Sequence, residues 1–342
     1  MTKLAEVTND GVYLRAFLAP LEPWLARADV TEILINRPGE IWVESNGRAA
    51  MEMIAVPELT TLALSRLAAQ VARANNQGVN RAQPLLSGRL PDGARIQIIA
   101  PPATRQHMAI AIRKHVQVDL DLADYAASGA FANVRSRDDG SAARADAALR
   151  AVLDAGNVLG FLQQCVALRK NILIAGGTSS GKTTFLNALL KQIPDKQRII
   201  VIEDTPEVSL DRPNGVGLVA VRGETGEAMV TTEDLLQASL RLRPDRLLLG
   251  EMRGAEAFSF LRAINTGHPG SISTIHADTP RGAIEQVALL ALQARVNLGR
   301  EEIIAYAGTV IDVVVQLKRN AAGARVVSEI AMVRDLLAAR DS

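Results

Sequence analysis

The amino-acid sequence predicts an α/β protein in two parts: a smaller α+β domain over residues 1–120 and a larger, doubly wound domain over residues 156–342, joined by a linker over 121–155. Three observations predict it. A chain of 342 residues is long enough for about two domains. From residue 156 onward, short apolar runs alternate with stretches of helical period, the pattern of a parallel sheet with crossover helices. One of those junctions is a strand, a glycine-rich loop and a helix in succession.

In the first part, residues 13–25 read as a helix broken around Pro20 and Pro23, because proline lacks the backbone donor and crowds the preceding turn. Glu32-Ile33-Leu34-Ile35 and Ile41-Trp42-Val43 read as strands flanking the turn Asn36-Arg37-Pro38-Gly39, with Trp42 as half-buried packing. Leu62, Leu67 and Val71 give residues 59–74 a helical period. The turn Pro91-Asp92-Gly93 introduces a strand over 94–100, and Ala109-Ile110-Ala111-Ile112-Arg113 is another. Arg95 begins the first of these strands and Arg113 ends the second.

Residues 120–127 hold a turn or two of helix before Ser128-Gly129. Residues 135–144 carry nothing apolar larger than alanine and read as an exposed connection, and 145–155 are alanine-rich and helical. A flexible link there would let the two halves move as rigid bodies.

The second part begins with a helix over 158–168, capped by Asn157. The strand Asn171-Ile172-Leu173-Ile174-Ala175 follows, then the glycine loop, then a helix over 184–193 with Phe185, Leu186, Leu189, Leu190 and Ile193 on one side. Residues 198–202 are a buried strand ending in Glu203-Asp204. Helices over 232–240, 255–265 and 280–294 alternate with strands over 246–249 and 271–275, and 311–317 and 326–333 are late strands. This is a RecA-like P-loop layout, which places ligands at the carboxyl ends of its strands.

The loop itself is Gly176-Gly177-Thr178-Ser179-Ser180-Gly181-Lys182-Thr183, followed by Thr184. It matches glycine, four residues, then Gly-Lys-Ser/Thr, and so aims backbone N–H groups and a helix N-terminus at phosphate. Lys182 reaches the β- and γ-phosphates in such a loop, and the Thr183 hydroxyl sits on Mg²⁺, which makes ATP and Mg²⁺ the expected ligands. Glu203 and Glu251 each lie just past a central strand, where a carboxylate holds the metal through water or orients the attacking water. Many such sites end the second acidic strand in Asp-Glu. Here Gly250 stands in place of the aspartate, which leaves Glu251 alone and turns attention to Glu203-Asp204 for the missing charge. His268 and His276 flank the strand over 271–275, and His276, at its end, is placed to sense the γ-phosphate or to bond Glu251. With 4 His and 1 Cys in the chain there is no histidine–cysteine ligand cluster for a metal.

Composition narrows the function further. A net charge of +1 and 3% aromatic residues argue against nucleic-acid recognition by a basic surface or by base stacking, and no sequence-specific nucleic-acid binding is expected. The single cysteine, Cys165, excludes an internal disulfide framework, fits a reducing cytoplasm and reads as a core thiol. No run of 18 apolar residues is present, and Met1-Thr2-Lys3-Leu4-Ala5-Glu6 lacks the apolar stretch of a signal peptide.

With these motifs in order, the sequence resembles the secretion ATPase superfamily and, within it, the hexameric traffic ATPases of type IV secretion. The resemblance rests on the phosphate loop, the acidic box Ile202-Glu203-Asp204-Thr205-Pro206-Glu207, residues 240–253 and the histidine box Thr266-Gly267-His268-Pro269-Gly270-Ser271-Ile272-Ser273-Thr274-Ile275-His276-Ala277. Residues 32–40 and Arg95-Ile96-Gln97-Ile98 resemble the family's N-terminal domain. Ser179 departs from the family, which usually has glycine there, and predicts local backbone strain. The resemblance implies a homohexamer that holds nucleotide between its two domains, with Arg95 and Arg113 reaching the γ-phosphate and Arg241 and Arg253 in similar or structural parts. It implies ATP hydrolysis at the cytoplasmic side of a bacterial inner membrane, in peripheral association with it. The work would be pilus assembly and transport of protein or DNA, with the inner-membrane and coupling components of a secretion channel as partners. Pilus motors of the same superfamily and a helicase on the same core remain alternatives. Type II secretion ATPases usually carry a four-cysteine metal module, which one cysteine argues against.

Overall fold

The computed structural model describes residues 9–115, 121–132, 134, 140–221 and 227–338. The N-terminal hexapeptide and part of the expected exposed connection over 135–144 lie outside these residues. Within them the chain is a mixed α/β structure built on two sheets.

The first sheet comprises β1 (Val30–Ile35), β2 (Glu40–Ser45), β3 (Glu52–Ala55), β4 (Leu85–Arg89), β5 (Arg95–Ile99) and β6 (Ala109–Arg113). Its order is β3-β2-β1-β6-β5-β4, and every neighbouring pair is antiparallel. Strand side chains alternate between faces, and here the two faces bury against different partners. Ile33 and Ile35 join Leu14, Leu64, Leu67 and Val71 in a core under the helices Asn9–Leu18 and Thr61–Ala74. Thr60 caps the second of these helices, its hydroxyl accepting from Ala63 N at 3.2 Å. The first helix ends at Leu18 and passes through a short 3-10 turn holding Pro20, as the proline spacing predicts.

The second sheet contains β7 (Ile172–Gly176), β8 (Ile199–Glu203), β9 (Gly215–Val219), β10 (Arg246–Leu249), β11 (Ile272–Ile275), β12 (Val313–Arg319) and β13 (Arg325–Met332). It runs β13-β12-β7-β11-β10-β8-β9, parallel throughout except that β13 is antiparallel to β12. Strands β7, β8, β10 and β11 are buried along their whole length, which is why β7, β8 and β10 carry apolar runs, while β11 also buries Ser273 and Thr274. Asn157 caps the helix Val158–Ala167 as expected, accepting from Gly160 N at 2.9 Å. Cys165 is buried and its thiol pKa is pushed up to about 12 by burial, which keeps it inert. Among the described residues no helix is long and apolar enough to cross a membrane.

The two sheets pack against each other through a shared core. Leu34, Trp42, Ile99, Ala109 and Ala111, from the other face of the first sheet, belong to the same core as Ile200, Leu218, Leu236 and Leu247. The segment after β5 lies on the edge strand β9: Thr104 bridges Leu218, Val219 N donates to Ala103 O at 2.9 Å, and Arg105 N donates to Gly217 O at 3.1 Å. Fully buried Arg198 donates to Leu242 O at 2.7 Å, Asn214 Oδ1 at 2.5 Å and, across the seam, Asn36 Oδ1 at 2.8 Å. Burial lowers its guanidinium pKa to about 9, still charged at neutral pH. Because Leu34 packs into this shared core, Leu34→Ala is expected to cost about 3 kcal/mol and to shift one common unfolding transition in a urea titration followed by tryptophan fluorescence. Of the linker, the helix Ser141–Asp154 docks on the second sheet's side through buried Leu149 and the Asp146–Lys170 ion pair at 2.7 Å.

Candidate functional site

Strand β7 ends at Gly176, and the loop that leaves it turns into the helix Lys182–Leu190. Glycine at 176 is a steric requirement: a Cβ there would lie 2.4 Å from Ser180 Oγ and 2.8 Å from Leu317 O. Gly181 has φ +93°, a left-handed conformation open to glycine at little cost. Ser179 has φ +60°, so the strain expected of a serine at this position is present, at about 1–2 kcal/mol. The loop forms one wall of a cleft of about 480 Å³. Thr178, Ser179, Ser180, Gly181, Lys182, Thr183 and Thr184 line it, opposite Glu203, Glu251 and His276. Gly176 and Gly177 shape it from behind through their carbonyls, which accept from Lys182 Nζ at 2.9 and 3.2 Å.

The reactive groups are in mutual contact. Lys182 Nζ lies 3.4 Å from His276 Nδ1 and 3.9 Å from Glu251 Oε1. His276 Nε2 is 2.8 Å from the same Glu251 oxygen, and Arg253 pairs with the other. Burial lowers the Lys182 pKa, and Glu251 opposes that shift. The main chain fixes the position of Glu251: Gly250 O accepts from the Thr274 hydroxyl at 2.7 Å, and Met252 N donates to Thr274 O at 2.9 Å, tying the end of β10 to β11.

The glycine before Glu251 has a physical reason. A Cβ at Gly250 would lie 2.9 Å from Glu203 Cγ. Restoring the more usual acid by Gly250→Asp is therefore expected to destabilise the protein by about 1–3 kcal/mol and to lower, not raise, ATP turnover; a thermal melt with a phosphate-release assay checks both. Glu203 is buried; its Oε1 accepts from Glu207 N at 2.9 Å and Val208 N at 2.8 Å, and its Oε2 accepts from Arg105.

Arg95 and Arg113 stand elsewhere. They are direct partners on β5 and β6 and line a second cleft of about 460 Å³ with Asn75, Arg89, Gln97 and Arg241. Arg113 pairs with buried Glu32, whose carboxyl pKa burial pushes up and Arg113 pulls back. Within this chain the fold does not bring either arginine to the phosphate loop. Of the two arginines given looser parts, Arg253 lines the loop cleft and Arg241 the second one. His268 lies at the opposite end of β11 from His276, its Nδ1–H donating to Pro244 O at 3.0 Å. Burial lowers its pKa below the ordinary 6.5, against a weaker opposing pull from that carbonyl. The unfolded chain thus binds this proton more readily, so the stability held by neutral His268 is full above about pH 6.5 and is lost as pH falls toward the folded value. His268→Gln is expected to flatten the decline in melting temperature between about pH 7 and about pH 5.

Sequence reasoning gave no role to Arg105, Glu207 or Arg325. Thr183 Oγ1 donates to Glu207 Oε2 at 3.0 Å, and Arg325 on β13 lies over Gly181. Only Glu207 had a local signal, as the last acid of the acidic box. The cleft suits a metal-bound polyphosphate. Ser180 Oγ is buried in the phosphate cradle without a partner among the described residues, the Lys182 amine rests on carbonyls, and the donors near Thr183 are the hard oxygens that Mg²⁺ takes.

The chain is similar to known proteins along most of its length. Residues 16–324 match the family described as Type II/IV secretion system protein. The type IV secretion system protein VirB11 of Brucella suis is 40% identical over 306 residues, covering 88% of this chain and 84% of that protein. PtlH of Bordetella pertussis, also a type IV secretion system protein, is 39% identical over 319 residues, covering 90% and 91%. The crystal structure of the VirB11 ATPase from the Brucella suis type IV secretion system, in complex with sulphate, superposes with a TM-score of 0.86 at 38% identity, covering 94% of this chain and 97% of that one. With the family matched over residues 16–324 and relatives of 38–40% identity covering most of the chain, the chain belongs to the type II/IV secretion system protein family, as a type IV secretion ATPase.

Proposed function

We propose that this chain is a P-loop motor with a RecA-like second domain, working as a homohexamer peripherally at the cytoplasmic face of a bacterial inner membrane. It powers pilus biogenesis and the translocation of protein or DNA, in company with the inner-membrane and coupling components of a type IV secretion channel. The observation that carries this reading is the mutual contact of Lys182, His276 and Glu251, which follow the adjacent strands β7, β11 and β10. Cation, sensor and base converge where phosphoryl transfer needs them.

In this reading ATP lies along the backbone N–H groups of residues 177–183, and Lys182 leaves the Gly176 and Gly177 carbonyls for the β- and γ-phosphates. Thr183, with Glu251 and the acidic box, would hold Mg²⁺, and the ion would supply charge neutralisation at the phosphate oxygens. Glu251 orients the attacking water and draws off its proton as the bond to the γ-phosphorus forms and ADP leaves. His276, bonded to Glu251, links that carboxylate to the γ-phosphate and registers its departure. Arg95 and Arg113, exposed in the second cleft, serve the loop cleft of a neighbouring subunit, where planar guanidinium groups match phosphoryl oxygens. Native mass measurement with and without a nonhydrolysable MgATP analogue, paired with an ATPase assay, tests ring and chemistry together. Six-fold assembly with turnover is expected; a monomer without turnover overturns the proposal.

A further inference from the structure

Arg105 connects the first sheet to the acidic loop of the second. We propose that it is a positioning residue for the metal side of the cleft, acting through Glu203 and the loop over 204–207 on Glu207 and the Thr183 hydroxyl. This rests on reading the cleft as a MgATP site.

The contacts form a continuous path. Residues 103–105 are fixed on β9 by the two backbone hydrogen bonds to Gly217 and Val219. From there the Arg105 stem crosses Gly217, where a Cβ would lie 2.5 Å from both Cδ and Nε of the arginine. Strand β9 thus lacks a side chain at the position the arginine must pass. The guanidinium ends on Glu203, although its Nε is left buried without a partner among the described residues. A buried donor in that state is unfavourable, so the surrounding structure holds the side chain there against a penalty.

Glu203 passes the constraint on. One oxygen takes Arg105 and the other takes the N–H groups of Glu207 and Val208, which ties down the backbone of the acidic loop. Gly250 leaves the room this requires. At the far end of the loop Glu207 accepts from the Thr183 hydroxyl, the group that such loops present to the metal. Within the acidic box, Glu203 is then the brace and Glu207 the carboxylate nearest the metal. A shift of residues 103–105 on β9 is felt at Thr183, so the first sheet's seat on the second is read out at the metal side.

The test uses the full chain and a fluorescent ADP analogue, titrated in EDTA and across a Mg²⁺ series. Arg105→Met keeps the stem that passes Gly217 and removes the charge. It is expected to raise the Mg²⁺ concentration for half-maximal nucleotide affinity about 10-fold, as loss of a supporting partner does at metal sites, while affinity in EDTA stays within about twofold. Arg105→Lys falls between this variant and wild type, and Glu207→Gln reproduces the shift. Combined with Arg105→Met, Glu207→Gln adds nothing further, the signature of residues on one path. Were Arg105 only a charge, its removal would leave Glu203 uncompensated and tighten Mg²⁺ binding. Tighter or unchanged Mg²⁺ dependence in Arg105→Met, or equal weakening in EDTA, overturns the proposal. Should Arg105→Met not fold, Arg105→Lys carries the decision: a Mg²⁺ dependence identical to wild type overturns the proposal. Wild-type protein without any Mg²⁺-dependent nucleotide binding would instead remove the MgATP reading itself.

Discussion

Lys182→Ala is expected to abolish ATP turnover, by about 10³-fold or more, and to weaken nucleotide binding with it. The amine is the cation held deepest in the loop cleft, on the carbonyls of Gly176 and Gly177 and beside His276 and Glu251. Alanine leaves nothing to meet the β- and γ-phosphates. The fold should survive, because the lost bonds run to the loop's own carbonyls and the removed ammonium was partly desolvated. Nucleotide-free melting temperatures of variant and wild type are therefore expected to agree within a few degrees. Wild type gains about 2.7 kcal/mol at 100-fold excess of nucleotide over its Kd, and the variant gains much less. Calorimetry with and without nucleotide separates loss of binding from loss of fold. A variant with full turnover rejects the site.

Glu251→Gln is expected to separate binding from chemistry. Nucleotide affinity stays within a few-fold of wild type and kcat falls about 10³-fold, the range for removing a general base. The carboxylate faces both reacting partners, with one oxygen against His276 and within 3.9 Å of Lys182. Glutamine keeps the size and can still contact His276, but it cannot take the water's proton. Single-turnover kinetics with radiolabelled ATP distinguishes slow chemistry from slow product release. Unaltered single-turnover rates would move the base elsewhere in the cleft. The contrast with Lys182→Ala is diagnostic, since one variant loses the ligand and the other keeps it unreacted.

Much of the second sheet was legible because burial on both faces writes itself as apolar runs. β10 ends where its apolar run Leu247-Leu248-Leu249 does, and β8 ends on the acid Glu203. Strand β9 was not read, because Gly215-Val216-Gly217-Leu218-Val219 carries two glycines, and glycine weakens any strand signal. The helix Arg300–Val310 had a readable period in Ile303, Ile304, Ala307 and Val310, all buried, and was passed over. The missed strands β3 and β4 have too few buried residues to show a clear pattern.

The sequence by itself determined the phosphate loop, the strand and helix around it, and the acids at the strand ends, because each depends on backbone conformation and periodicity over a few neighbouring residues. Only the tertiary structure decided which arginine meets which acid. Arg95 and Arg113 share a cleft away from the loop, while Arg105 reaches Glu203 across 98 positions of chain. Such a meeting depends on strand order, on which face of a sheet is buried, and on a missing side chain at Gly217, and no local stretch of residues encodes those together.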